Sequence, residues 1–123
     1  MHGASLAGRL ILIVEDEHLI AIDVANAFTN AGARVVSVRS LRDALIAAEN
    51  SGLSAAVLGQ ALSDGDSSKL CERLKERDIP FVLHSGYGQI DGTCSNGALV
   101  AKLTNPQVLL RTVEDLLRRP ARR

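Results

Sequence analysis

Leu10-Ile11-Leu12-Ile13-Val14-Glu15-Asp16-Glu17 sets five consecutive apolar residues against three acids near the start of the chain. A run of that length, rich in branched aliphatic side chains, is strand-sized, and the abrupt change to charge marks the point where it leaves the interior. Outward from it the pattern repeats. Val35–Val38, Ala55–Leu58, Phe81–Leu83 and Ala98–Ala101 are further short apolar runs, so five strands are predicted. Between them the spacing changes to that of helices. Ile20, Val24, Phe28 and Ala31 fall on one face and stop before Gly32. Ser40 and Asp43 form a capping pair for a helix through Leu41, Leu45 and Ala48, which Asn50-Ser51-Gly52 ends.

A third helix is predicted from Asp66, which suits its cap, through Leu70 and Leu74 to a stop before Ile79-Pro80, because the residue preceding proline avoids helical geometry. In the last helix Asn105 is the cap, Pro106 sits in the first turn, and Leu109, Val113, Leu116 and Leu117 make the apolar stripe. Glu114 with Arg118 and Asp115 with Arg119 are spaced for ion pairs on its outer side. Residues 89–97 are rich in glycine and turn formers, which predicts only a short, irregular fourth helix.

Strands alternating with helices through short connections imply right-handed crossovers and a parallel sheet covered on both faces, an α/β, doubly wound architecture. The length of 123 residues suits a single domain with one core. Hydrophobic residues make up 46% and aromatics only 2% (Phe28, Phe81 and Tyr87), so leucine, valine, isoleucine and alanine must fill it. Fourteen basic and fourteen acidic residues cancel. No global field then attracts nucleic acid or an anionic membrane. The apolar run Leu10–Val14 is too short to span a membrane and lacks the cationic flank of a secretory signal. Cys71 and Cys94 stand in neither a CxxC pair nor a metal-binding spacing, and are read as two reduced thiols of a cytoplasmic protein, with Cys71 packed in the interior.

In open parallel sheets the working residues gather beyond the carboxyl ends of the strands. Those ends carry Glu15 and Asp16 after the first strand, Gly59 after the third, Ser85 after the fourth and Lys102 after the fifth. Two acids, a hydroxyl and an amine converge on a glycine. This set, with Leu62-Ser63-Asp64-Gly65-Asp66, His84-Ser85-Gly86-Tyr87-Gly88 and Ala101-Lys102 in order, resembles the receiver domain of bacterial two-component response regulators over roughly Arg9 to Arg119. The resemblance implies a five-stranded, flavodoxin-like (CheY-like) (βα)5 domain over 9–119, an N-terminal tail over 1–8 and a basic C-terminal tail over 120–123. It also implies that the acidic pair helps hold magnesium, that an aspartate ending the third strand accepts phosphate from a histidine kinase, and that a hydroxyl and a lysine contact that phosphate.

Carried over by position, Glu15 and Asp16 match the acidic pair, Ser85 the switch hydroxyl and Lys102 the phosphate-contacting lysine, while Gly59 occupies the acceptor's place. Ser63 and Leu103 stand where that family commonly has proline, and Leu99 where an aromatic switch residue often lies. Glycine supplies no nucleophile, and a magnesium site robbed of one carboxylate loses much of its attraction. The sequence therefore predicts a receiver-like signalling module that is not an enzyme and is not phosphorylated at the usual position. Magnesium at Glu15 and Asp16 is expected to be weak or absent, with no other cofactor, and Lys102 is expected to pair with Asp16 or Glu15.

Its implied partners are proteins: a histidine kinase, a phosphotransfer protein or another regulator. They would use the last helix with the fifth strand and fourth helix, and that face also suits a homodimer. Two alternatives stand beside this reading, a relay protein phosphorylated at an unconventional site such as Asp64, and a small-molecule pocket in the vacated space. Plainer readings stand too. The acids fit a solvated loop, Ser85 a turn, Lys102 a surface position, His84 strand packing, and the arginine-rich end a solvated terminus.

Overall fold

A computed structural model describes residues 5–59, 61–62, 64–85, 98–101 and 106–118, with the backbone alone for Ala61, Asp66, Ser85 and residues 98–101. The elements in chain order are β1 (Leu10–Val14), α1 (His18–Asn30), β2 (Arg34–Val38), α2 (Leu41–Ala47), β3 (Leu53–Gly59), β4 (Ala61–Leu62), β5 (Gly65–Asp66), α3 (Ser68–Glu76), β6 (Phe81–Ser85), β7 (Ala98–Ala101) and α4 (Pro106–Arg118). Five of the strands form one parallel sheet in the order β2-β1-β3-β6-β7, and β4 and β5 make a small antiparallel pair. The irregular helix expected at 89–97 and the Asn105 cap lie outside the described residues.

Side chains on successive strand residues point to opposite faces, and the sheet divides its residues accordingly. Leu10, Leu12, Val14, Ala56, Leu58, Phe81 and Leu83 pack with Ala44, Leu70 and Leu74 of α2 and α3. Ile11, Ile13, Ala55, Val57 and Val82 pack with Val24, Phe28, Leu109 and Val113 of α1 and α4. Both faces of the sheet are thereby covered, which is why its central strands read as unbroken apolar runs. Leu6 joins the second cluster at 2% exposure, and its N–H donates to the Ala31 carbonyl at 2.8 Å. Packed chain thus begins before Arg9.

Two helices end by the same device. After α1 the N–H of Ala33 donates to the Phe28 carbonyl and that of Gly32 to Thr29, with Gly32 at φ 96°. After α3 the N–H of Ile79 donates to Leu74 and that of Asp78 to Lys75, with Asp78 at φ 59°. Both are left-handed stops of the Schellman type, but only the first uses glycine. The end of α3 is therefore set at Asp78, ahead of the proline that marks it in the sequence. At its start the cap position belongs to Ser67, one residue beyond the expected Asp66, whose backbone is drawn into the pairing with Ala61.

Two other expectations are corrected. Arg118 pairs with Asp115 rather than Glu114, and Glu114 accepts a hydrogen bond from the Ser5 hydroxyl at 2.5 Å. The companion pair to Arg119 lies outside the described residues. Cys71 is disulfide-bonded, not a reduced thiol, since distance along the chain says little about proximity in a fold. Cys94 is outside the described residues. Among those residues no helix is long and apolar enough to cross a membrane.

Candidate functional site

The strand order reverses direction at β1, so a crevice opens beyond the carboxyl ends of β1 and β3. Glu15 leaves β1 there. Its N–H donates to the Val38 carbonyl at 3.1 Å, extending the β1–β2 ladder by one residue, and its side chain is only 2% exposed. One carboxylate oxygen, Oε2, accepts from the N–H of Glu17 at 3.1 Å. The other, Oε1, points across to β3, 3.5 Å from where a side chain's first carbon would stand at Gly59. That same position is 3.2 Å from the Val14 carbonyl oxygen and 3.8 Å from Leu62 Cδ2. The glycine thus leaves a narrow space that Glu15 faces.

Asp16 is half-buried and Glu17 exposed. Together with Glu15 they offer carboxylate oxygens that all lie within 4.8 Å of one another. Around a magnesium ion with ligands near ~2.1 Å, neighbouring oxygens sit about 3–4 Å apart. The three acids therefore supply the right donor type within reach of one ion, and Glu17 is a third carboxylate that the sequence reading left outside the pocket. Gly59 contributes no side-chain oxygen. Arg39, at the end of β2, reaches over this corner and donates from Nη2 to the Asp16 carbonyl at 3.3 Å. The pairing expected from Lys102 concerns a residue outside the described set, as does the side chain of Ser85. The backbone of Ser85 is described and lies in register with Ala101 of β7. His84 is buried within β6, between Gly59 of β3 and Val100 of β7 in register, and takes no part in a metal-capable group among the described residues.

Two contacts escaped sequence reasoning. Ser67 is buried, and its hydroxyl donates to the Gly59 carbonyl at 2.5 Å instead of capping α3. Asp64 places Oδ1 2.7 Å from the N–H of Leu41 and Oδ2 3.1 Å from that of Arg42, while Ser40 Oγ accepts from Asp43 at 3.1 Å. The first three N–H groups of α2 are therefore satisfied by two side chains. These hydrogen bonds, Leu41 foremost and then Arg42, hold the Asp64 carboxyl below the usual carboxylate range. Only Ser40 was visible as a cap, because its spacing is local; Asp64 lies in a different loop.

No family model matches the sequence, and no curated protein does. Solved structures do resemble it. A putative response regulator from Chloroflexus aurantiacus J-10-fl is 25% identical with a TM-score of 0.79, over 90% of this chain and 98% of that one. The chain has the CheY-like receiver fold. A response regulator receiver protein from Sinorhizobium medicae WSM419 shares that fold at a TM-score of 0.80 and 22% identity, covering 89% of this chain and 94% of its own. A response regulator from Burkholderia pseudomallei, solved with a phosphorylated aspartic acid, a calcium ion and citrate, matches at a TM-score of 0.75 and 20% identity, over 85% of this chain and 66% of that one. Within the receiver fold the crevice just described is the strand-end site, and Gly59 stands at the carboxyl end of its third sheet strand.

Proposed function

We propose that this chain is a receiver-like signalling module that acts by protein contacts and is not switched by phosphorylation at the end of β3. The observation that carries the reading is Gly59 itself, which ends that strand with no side chain while a neighbouring carboxylate, Glu15, faces the space. In-line phosphoryl transfer to an acyl acceptor needs a positioned carboxylate nucleophile. The unit we propose is a full (βα)5 domain over 9–119 that takes in Leu6 as well. Ser85 and Lys102 keep their proposed places as switch and phosphate-contact equivalents. Glu15 and Asp16, joined by Glu17, are the residues that would hold a divalent ion, with weak affinity for want of a carboxylate at 59.

Protein partners of the two-component type fit this reading, and the structure adds a surface that the sequence did not suggest. Leu19 is 77% and Ile22 42% exposed, one turn apart on the outer face of α1 beside the acids. Exposed leucine and isoleucine so close to the strand-end site favour a contact there. The relay alternative through Asp64 is disfavoured by the two N–H groups that hold its oxygens. Thermal melting with and without magnesium and acetyl phosphate tests the proposal. Acetyl phosphate is expected to leave the melting temperature of the wild-type chain unchanged, with or without magnesium. A rise that requires both additives is the opposite result.

A further inference from the structure

A cleft of about 590 Å³ separates the N-terminal segment from α4, away from the strand-end acids. Leu110, Arg111, Glu114, Leu117 and Arg118 line it from α4 at three-, four- and seven-residue steps, one continuous flank of the helix; Arg9 lines the other wall. Leu6 and Leu110 are buried at its floor. Glu114 is held by the Ser5 hydroxyl and Arg118 by Asp115. No ion pair among the described residues involves Arg9 or Arg111. Buried leucines and two arginines outside any ion pair among the described residues thus line one cleft.

The shape narrows the occupant. At ~1.5 Å per residue, the α4 flank from Gln107 to Arg118 extends about 16 Å, the length of about three helical turns and long for a compact metabolite. Leu117 is half-buried one heptad beyond the core residue Leu110, and Arg111 and Arg118 repeat the interval on the exposed flank of α4. We propose that this cleft docks an acidic amphipathic helix of a protein partner, with aliphatic side chains over Leu110 and Leu117 and carboxylates meeting Arg9 and Arg111. Arginine suits such contacts because its fork binds a carboxylate through two parallel hydrogen bonds. A nucleic acid fits less well, since Glu114 and Asp115 would face its phosphates and the leucines would find no partner. This inference does not depend on Gly59, so either reading can fail alone.

A short synthetic helix labelled with fluorescein tests it, with leucines at heptad a and d positions and glutamates flanking them. Fluorescence anisotropy is followed with the full chain. Saturable binding that weakens as salt is raised is expected. Arg9→Glu combined with Arg111→Glu should weaken it about tenfold or more, while Lys69→Glu on α3 leaves it unchanged. Arg111→Gln provides a milder second variant, and circular dichroism melting verifies that each variant is folded. The proposal is overturned if the acidic helix does not bind, if a lysine-for-glutamate version binds as tightly, or if folded Arg9 and Arg111 variants bind like the wild type. Tighter binding of a single-stranded oligonucleotide at the same arginines also overturns it, as does self-association that those substitutions abolish.

Discussion

At residue 59 the absence of a side chain has measurable consequences at the adjoining end of β1. A carboxylate introduced there would sit beside buried Glu15 and close to Asp16 and Glu17, and its first carbon would press on the Val14 carbonyl at 3.2 Å. Like charges a few ångströms apart repel by up to ~4 kcal/mol at an effective dielectric near 20, and part of that is relieved by solvent. Gly59→Asp is expected to destabilise the metal-free protein on the order of 1–2 kcal/mol. Magnesium should restore the loss, because an ion bound only by the folded state stabilises it. Urea melts with EDTA and with magnesium check both parts, and equal stability of the variant and wild type in EDTA would contradict the account. The hydroxyl of Ser67 secures the same strand end from the other side. Ser67→Ala leaves the Gly59 carbonyl without that donor, for an expected loss of about 1–3 kcal/mol; an unchanged urea midpoint would show that the contact is dispensable.

At the scale of elements, α2 is held at its start by a residue from another loop. Asp64 bonds the Leu41 and Arg42 N–H groups as a carboxylate, so its folded-state pKa lies below the ordinary value of ~3.9. A depressed carboxyl pKa contributes stability that is complete above the unfolded value and is lost as pH falls through the folded one. Asp64→Asn is therefore expected to melt a few degrees below wild type at neutral pH, with the gap closing below about pH 4. A gap independent of pH would mean that the charge of Asp64 is not what matters. The adjoining Gly65, at φ 146°, lets this loop pass Leu41, whose Cδ2 would meet an added side-chain carbon at 3.0 Å. At the end of α3, Asp78 takes a left-handed conformation at φ 59° that costs an L-residue more than glycine. Asp78→Gly is expected to stabilise the chain by about 0.5–1 kcal/mol, read as a higher melting temperature; a lower one would assign Asp78 a favourable role of its own.

For the whole molecule, the sheet was readable because its strands are short aliphatic runs bounded by turn residues, as Leu10–Val14 and Ala55–Leu58 show. The Ser40–Asp43 cap was readable for the same reason, since all of its information lies within one turn. Asp64 on α2, Ser67 on Gly59, the burial of Leu6 and the disulfide of Cys71 were not. Each joins residues whose proximity is created by the fold and leaves no periodic trace. The candidate site followed that division: Glu15, Asp16 and Gly59 announced themselves at strand ends, whereas Glu17 and Arg39 gained meaning only from geometry. In this chain the third sheet strand ends at the crevice in Gly59, and the proposed function rests on the absence of a carboxylate at that position. Intact-mass spectrometry after incubation with acetyl phosphate and magnesium under native conditions tests that directly. The account expects the wild-type mass to stay unchanged; an acid-labile gain of one phosphate on the wild-type chain would contradict it.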